Sequence, residues 1–178
     1  MAKHEGCIVC QIVENKIPSK KVYEDEVSIG VLDLNGANPG HCFVIPKMHY
    51  PIMEQVPERE IGKLFQASNK IATAIFETLG VQGTNIFVAN GIPAGQTVAH
   101  FTINVIPRSE NDGINLTWQP KQLSEEEMST VELKLKEHTK NIGNFEKEEK
   151  KTKHSAPKPV ELSDDEEEYF SGQLRRLP

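Results

Sequence analysis

The sequence lacks long apolar runs, has few cysteines and carries no excess of positive charge. No segment approaches the roughly 18 consecutive apolar residues of a membrane-spanning helix, and the first ten residues show no signal-peptide pattern. The three cysteines are too few, and odd in number, for a secreted disulfide framework. A net charge of −6 argues against nucleic acid as a partner, because phosphate backbones bind basic surfaces. These absences predict a cytoplasmic protein that binds neither membranes nor nucleic acids.

The residues that are present indicate one globular domain followed by an extension. The 178 residues are 37% apolar and 26% charged, which is typical of a soluble protein with a core. Because charged residues dominate after Lys121, we predict a domain over 1–120, a C-terminal helix over 121–142 and a charged extension over 143–178. Composition alone favours a solvated tail. We expect instead that the extension docks on the domain or on a partner subunit, through Tyr169, Phe170, Leu174 and Leu177.

Hydrophobic periodicity predicts an α+β fold. Alternating apolar residues predict strands over 22–24, 27–34, 41–46, 85–89 and 98–106. One amphipathic helix is predicted over 58–79, with Gly80 as its C-cap. The residues expected on its buried face follow helical spacing at Ile61, Leu64, Phe65, Ser68, Ile71, Ile75 and Leu79. A second helix should begin after Ser124 and run to about Thr139, since three glutamates occupy its first turn, where the helix dipole favours acids.

The N-terminal CxxC motif, Cys7-Ile8-Val9-Cys10, could be a redox pair, half of a metal site or a chance pattern. Redox motifs of the thioredoxin type follow a first strand and open a helix, which this position does not match. A zinc site needs two more nitrogen or sulfur ligands, and the candidates are His49 and His100. Otherwise His49 is a surface histidine and the cysteines are free. His41 and Cys42 begin a buried strand, so we assign them to the core.

A motif near the end of the domain resembles a known family signature. The segment His100-Phe101-Thr102-Ile103-Asn104-Val105-Ile106, preceded by Ala94-Gly95-Gln96, is similar to the signature of the histidine-triad (HIT) hydrolases and transferases. Further ordered matches are Ile17-Pro18, Val22-Tyr23-Glu24-Asp25, Leu32-Asp33-Leu34, Pro39-Gly40-His41, Val44-Ile45-Pro46-Lys47 and Trp118. The resemblance implies the HIT fold, a five-stranded antiparallel sheet with one long helix and shorter ones. Its Hint-like branch implies a homodimer with a continuous ten-stranded sheet.

The resemblance also implies a structural zinc site. Zinc-bearing HIT proteins and the related galactose-1-phosphate uridylyltransferases close a site of two cysteines and two histidines at positions that match Cys7, Cys10, His49 and His100. Four protein ligands complete a tetrahedron and leave no position for water, so such an ion stabilises structure rather than performing catalysis. Zinc would pin the N-terminal segment beside the strand that carries the motif.

HIT proteins bind a nucleoside phosphate on the sheet surface, and the resemblance assigns residues to this pocket. Asp33 matches the acid on the ribose hydroxyls, where a carboxylate can accept two hydrogen bonds; alternatively, it is an ordinary turn or strand-end residue. The base slot corresponds to Ile17, Val31 and Leu34. Val31 stands where an aromatic residue is common, which reshapes the slot. Gln96 and Thr97 lie in a turn that could bind an anion, whereas Ala89 replaces a frequent asparagine.

The catalytic positions of the resembled motif hold Thr102 and Asn104. In the family, the middle histidine attacks phosphorus and forms a covalent intermediate, and the third histidine helps to hold the phosphate. Thr102 would need a base to act as a nucleophile, and Asn104 donates hydrogen bonds but cannot shuttle protons near neutral pH. Losing a covalent nucleophile costs on the order of a millionfold in rate. Ordinary HIT chemistry is therefore not expected, and two different polar replacements indicate natural divergence.

Three functions remain open. The first is a diverged hydrolase for a nucleotide-like or pterin- or folate-like molecule, in which Thr102 and Asn104 orient water or polarise a formyl or acyl carbonyl. The second is a non-catalytic nucleotide-binding protein that uses Asp33 and the turn at Gln96. The third is a zinc-stabilised scaffold whose extension recruits a partner.

Overall fold

A five-stranded antiparallel sheet carries most of the residues singled out by the sequence. The computed structural model describes residues 6–140. The strands are β1 (Lys21–Glu24), β2 (Ser28–Leu32), β3 (Cys42–Pro46), β4 (Gly83–Phe87) and β5 (Ile103–Arg108), and they pair in the order β1-β2-β3-β5-β4. The helices are α1 (Ile8–Val13), α2 (Glu58–Leu79) and α3 (Glu125–Thr139), with short 3₁₀ turns at Met53–Gln55 and Ile92–Ala94. The predicted α+β class and five-stranded antiparallel sheet are confirmed.

The long helix α2 has the predicted bounds. Glu58 and Glu60 lie in its first turn, where the positive end of the helix dipole favours acidic side chains. Gly80 adopts the left-handed conformation, with φ 64°, and ends the helix as its C-cap. The buried face differs in part from the prediction. Phe65 and Leu79 are exposed, whereas Ala67 and Ala72 are buried, because small side chains let the helix approach the sheet closely.

The two faces of the sheet have different partners. Side chains alternate along a strand, so Cys42, Val44, Ile103 and Val105 pack on one face with α2 in a single hydrophobic cluster. A second cluster joins Val31 and Ile45 to the N-terminal segment at Val9 and Cys10. The face that packs on α2 forms the main core. The opposite face is covered only in part, by the N-terminal segment, and can therefore hold a site.

Two local predictions need correction. The strand predicted over 98–106 begins only at Ile103, because the chain bends at residues 98–100. The amide of His100 donates to the carbonyl of Val98 at 2.8 Å, and that of Phe101 donates to Tyr50 at 2.6 Å, so this segment leaves the strand ladder. Helix α1 was not predicted at all, since six residues are too short for a clear helical period.

The helix α3 has the bounds expected from the sequence. Ser124 and Glu127 form a capping box, in which the Ser124 hydroxyl accepts from the Glu127 amide and the Glu127 carboxylate accepts from the Ser124 amide. Chain contacts divide the protein into two units, Met1–Trp118 and Gln119–Pro178. The domain limits given above stay a prediction, and the extension over 143–178 lies outside the described residues. Within residues 6–140, no helix is long and apolar enough to cross a membrane.

Gly40 lies in the turn before β3, and we predict that Gly40→Ala destabilises the fold. Its φ is +92°, and an added Cβ would lie 2.5 Å from Cδ1 of Leu79. A left-handed conformation costs a non-glycine residue about 1–3 kcal/mol. The matched control is Gly62→Ala within α2, where an added Cβ meets nothing within 4 Å. We expect Gly62→Ala to stabilise the fold by about 0.5–1 kcal/mol. Urea unfolding of both variants measures the two effects, and equal effects would contradict this account of the turn.

Candidate functional site

Four potential metal ligands converge at the edge of the second sheet face. Cys7 precedes α1 and Cys10 lies within it, so the three-residue spacing places both thiols on one side of a helical turn. His49 follows β3, and His100 lies in the bend before β5. Their donor atoms all lie within 4.8 Å of one another. Segments far apart in the sequence thus meet at one point that could hold a metal ion.

The spacing of these atoms fits a tetrahedral ion. The Cys7 Sγ lies 3.5 Å from Nδ1 of His100, and the Cys10 Sγ lies 3.6 Å from the same nitrogen. The Cys10 Sγ is also 3.3 Å from Nδ1 of His49. A zinc ion bound at ordinary lengths holds its sulfur and nitrogen ligands about 3.6 Å apart. Two thiols and two imidazoles therefore match a closed structural site in both chemistry and distance.

Surrounding groups prepare His100 for such a role. Its Nε2 lies 3.1 Å from the carbonyl oxygen of Pro46, so the proton belongs on Nε2, and Nδ1 offers its lone pair towards the cysteines. The side chain is 1% exposed. Burial lowers the pKa of His100 to about 4, and the ring is therefore neutral at physiological pH, as a metal ligand must be.

We refer to the potential ligands Cys7, Cys10, His49 and His100 together as the metal group. A cavity of about 580 Å³ opens on the same face of the sheet, beside this group. Every position that the resemblance assigns to ligand binding or catalysis lines it. These residues are Ile17, Val31, Asp33, Leu34, Gln96, Thr97, Thr102 and Asn104. The cavity also meets His41, Phe43 and Phe87. The antiparallel pairing explains this convergence, since Phe43 and Phe87 are the cross-strand neighbours of Asn104.

Asp33 lies at the end of β2 and is held in place by its own turn. Its Oδ1 accepts a hydrogen bond from the amide of Asn35 at 2.9 Å, while Oδ2 lies 3.6 Å from Nδ1 of His41. The turn thus fixes the carboxylate at the cavity and leaves Oδ2 without a close donor among the described residues. Leu34 is 81% exposed and lies at the rim rather than in the interior.

The side chain of Gln96 braces the loop between β4 and β5. Its Nε2 donates to the carbonyls of Pro51 and Val98, at 2.6 and 2.9 Å, and its Oε1 accepts from the amide of Gly91 at 2.8 Å. The amide group is thereby fully used within the protein. The side chain of Gln96 therefore shapes the cavity and has no N–H left for an anion. Anion binding by the amides and the hydroxyl of this turn stays a prediction. Thr97 lines the cavity next to it.

Thr102 and Asn104 present polar side chains to the cavity. Asn104 lies in β5, and Thr102 directly precedes this strand. Thr102 forms no side-chain hydrogen bond with any described residue, and Asn104 forms one, from its Oδ1 to Nε2 of His41 at 3.2 Å. No base lies at Thr102 to accept its proton, within the part of the chain that the structure describes. The arrangement supplies neutral hydrogen-bonding groups rather than an activated nucleophile.

The position of His41 at the cavity was not predicted from the sequence. Its assignment to the core is right about burial, since the side chain is 7% exposed, and Cys42 does pack in the core. However, the imidazole faces the cavity and contacts both Asn104 and Asp33. The signal was present in the sequence, because a histidine beginning a strand can pair with the strand that carries the motif. Recognising it required the register of β3 against β5.

Comparison with known proteins agrees with the motif. The family model described as the HIT domain matches residues 14–111. The adenylylsulfatase HINT3 of Arabidopsis thaliana is 37% identical over 106 residues, 60% of this chain, and the match spans only 54% of that protein. The adenosine 5′-monophosphoramidase hnt1 of Schizosaccharomyces pombe is 31% identical over 71% of this chain and 92% of its own length.

Solved structures give the same result. A HIT family protein from Bacillus subtilis is 33% identical, with a TM-score of 0.70 over 74% of this chain and 96% of its own. A zinc-bound histidine triad family protein from Mycobacterium smegmatis is 30% identical, with a TM-score of 0.60, and the match covers 77% of this chain and 98% of that structure.

We predict that Cys7→Ser abolishes metal binding and lowers the thermal midpoint by roughly 10 °C, the shift expected for a loss of about 2 kcal/mol in a domain of this size. Elemental analysis of the purified protein and thermal unfolding with and without a chelator measure both effects. The matched control is Cys42→Ser, since Cys42 is buried but lies outside the metal group. This control should keep the metal. If the chelator leaves the thermal midpoint of the wild type unchanged, the metal group does not stabilise the fold.

Proposed function

The chain belongs to the HIT family, and we propose that it is a diverged member that binds a nucleoside-like small molecule without histidine-based nucleotidyl transfer. One observation carries the proposal: the cavity on the sheet keeps the positions expected for ligand binding, but Thr102 and Asn104 occupy the places assigned to the catalytic histidines. A threonine without an adjacent base cannot replace an imidazole that attacks phosphorus. We therefore expect the cavity to bind its ligand without carrying out the nucleotidyl transfer of the family.

The activities named for two relatives support a nucleoside as the ligand class. Two of them are named as enzymes of adenylyl sulfate and of adenosine 5′-monophosphoramidate, compounds that share an adenosine group. In this chain, Asp33 offers a carboxylate oxygen to a ribose diol, and Val31 and Phe43 provide apolar contact for a base. The mostly apolar lining with a few polar groups is typical of small-molecule sites.

The metal group serves the cavity rather than a reaction. We infer that zinc is the ion, because the donor set of two cysteines and two histidines and its spacing suit zinc, and a zinc-bound relative has the same fold. Zinc bound by four protein ligands would tie the segment at Cys7 and Cys10 to the bend at His100. Since Ile8, Val9 and His100 also line the cavity, the metal would hold one of its walls.

We also propose that the protein is a cytoplasmic homodimer. The strand β4 lies at one edge of the sheet, and Ile86 and Phe87 on it are both 39% exposed. Pairing of two such edges around a two-fold axis would cover these side chains and give a continuous ten-stranded sheet. Sedimentation of the purified protein at two concentrations measures the oligomeric state.

A pterin or folate ligand, with hydrolysis of a formyl or acyl bond, is the second candidate. The neutral donors at Thr102 and Asn104 favour it, because such groups can bind a carbonyl oxygen. The same binding experiments should therefore include folates beside adenosine compounds. Release of formate or another acid from a folate would show that the protein is a hydrolase rather than a non-catalytic binding protein.

We predict that adenosine at a hundred times its dissociation constant stabilises the fold by about 2.7 kcal/mol and that Asp33→Asn weakens its binding about tenfold or more. The asparagine keeps the oxygen that accepts from the Asn35 amide but removes the charge offered to the ribose. The control is Glu26→Gln, a carboxylate at the protein surface that lies outside the cavity. Thermal shift and calorimetry measure both changes. Binding that is insensitive to Asp33→Asn would contradict the ribose assignment, and the absence of any stabilisation by adenosine compounds would overturn the proposed class.

We also predict that the wild type does not hydrolyse adenosine 5′-phosphoramidate above the background rate, whereas the double substitution of histidine for Thr102 and Asn104 gains measurable hydrolysis. The reason is that both positions line the cavity: Asn104 lies in β5, and Thr102 directly precedes this strand. Release of ammonia and nucleotide measures the reaction, with Thr102→Val as the inactive control. Substantial turnover by the wild type would contradict the loss of HIT chemistry.

A further inference from the structure

We propose that the cavity selects a ligand with a neutral hydrogen-bond acceptor, such as an amide carbonyl, opposite Asn104, and that His41 is the positioning residue that fixes this preference. The inference rests on the proposed function, because it concerns a substituent of the ligand in the same cavity. It goes further by naming the chemical group that the cavity accepts and the buried side chain that determines the choice.

The orientation of His41 follows from its backbone neighbour. The amide of Ala37 donates to Nδ1 of His41 at 3.2 Å, so Nδ1 carries a lone pair and the proton of the neutral ring lies on Nε2. The Oδ2 of Asp33 lies 3.6 Å from Nδ1, too far for a hydrogen bond, so it does not compete with the Ala37 amide. The loop before β3 therefore sets the tautomer of His41.

The tautomer in turn sets the orientation of Asn104. Because Nε2 of His41 is a donor, the atom of Asn104 that it meets at 3.2 Å must be the carbonyl oxygen Oδ1. The amide nitrogen Nδ2 then faces away from His41, and no described residue accepts a hydrogen bond from it. Since Asn104 lines the cavity, this nitrogen is offered to the ligand. Asn104 acts as a fixed donor, and an acceptor on the ligand satisfies it.

The charge of the cavity distinguishes a neutral acceptor from a phosphate. Among the described residues that line the cavity, none is a lysine or an arginine, and Asp33 contributes a carboxylate. A phosphate placed near Thr102 and Asn104 would lose water and meet neutral donors only, with a negative charge in the same cavity. A carbonyl accepts the same hydrogen bonds without the desolvation cost of a charged group. The chemistry of the lining therefore favours a neutral ligand over a nucleotide.

The test compares three ligands that differ only at the ribose 5′ position: adenosine, adenosine 5′-carboxamide and adenosine 5′-monophosphate. Calorimetry with the purified, metal-loaded protein gives the three dissociation constants. We expect the carboxamide to bind about five- to tenfold more tightly than adenosine, the gain of about one hydrogen bond, and the monophosphate to bind most weakly. Tightest binding of the monophosphate would overturn this inference while leaving the proposed function intact. If none of the three binds, the proposed function fails and the inference fails with it.

A double-mutant cycle tests the role of His41. Asn104→Ala should abolish the preference for the carboxamide over adenosine, and His41→Phe should reduce it, because Asn104 is then free to turn its amide. In the Asn104→Ala background, His41→Phe should change the preference no further. A merely structural role for His41 would alter both ligands equally in either background. Unchanged metal content and thermal midpoint confirm that each variant is folded. A preference that remains in Asn104→Ala, or one that is undiminished in His41→Phe, would refute the assignment.

Discussion

The antiparallel pairing of β3 with β5 is the constraint on which both the core and the site depend. It sets Phe43 opposite Asn104 and Val44 opposite Ile103. Since side chains alternate along each strand, this register directs Val44 and Ile103 to α2 and Asn104 to the cavity. A slip of one residue would exchange Ile103 with its polar neighbours and bury a hydroxyl and an amide under α2. The hydrophobic core thus enforces the placement of the groups that a ligand meets.

The motif after residue 99 performs two separate tasks. His100 turns away from the strand in a bend and joins the metal group, whereas Thr102 and Asn104 face the cavity. A role as a metal ligand is therefore sufficient to account for the first histidine, which gives no evidence of catalysis. The same separation explains how a HIT protein can keep its fold while its reaction changes, because the positions that would stabilise the fold and those that would act on the ligand are different residues.

Much of this arrangement was predictable from local signals and from the motif. The helix α2 has a long apolar period ending at Gly80, and the cysteine spacing with two distant histidines identified a group that does converge. Features set by tertiary contacts were not predictable. The late start of β5 depends on the Phe101 amide donating to the Tyr50 carbonyl, and the bracing role of Gln96 depends on the carbonyl of Pro51. The contact of His41 with Asn104 arises only when β3 lies beside β5, because no periodicity links residue 41 to residue 104.

We infer that a metal ion and a ligand bind at one wall of the cavity through different residues of the motif. The most direct measurement is a crystal structure of the purified protein with adenosine 5′-carboxamide, with anomalous data collected at the zinc edge. We expect one anomalous peak between Cys7, Cys10, His49 and His100, and ligand density with its ribose at Asp33 and its carbonyl at Asn104. Ligand bound outside the cavity, or no metal among these four residues, would contradict it.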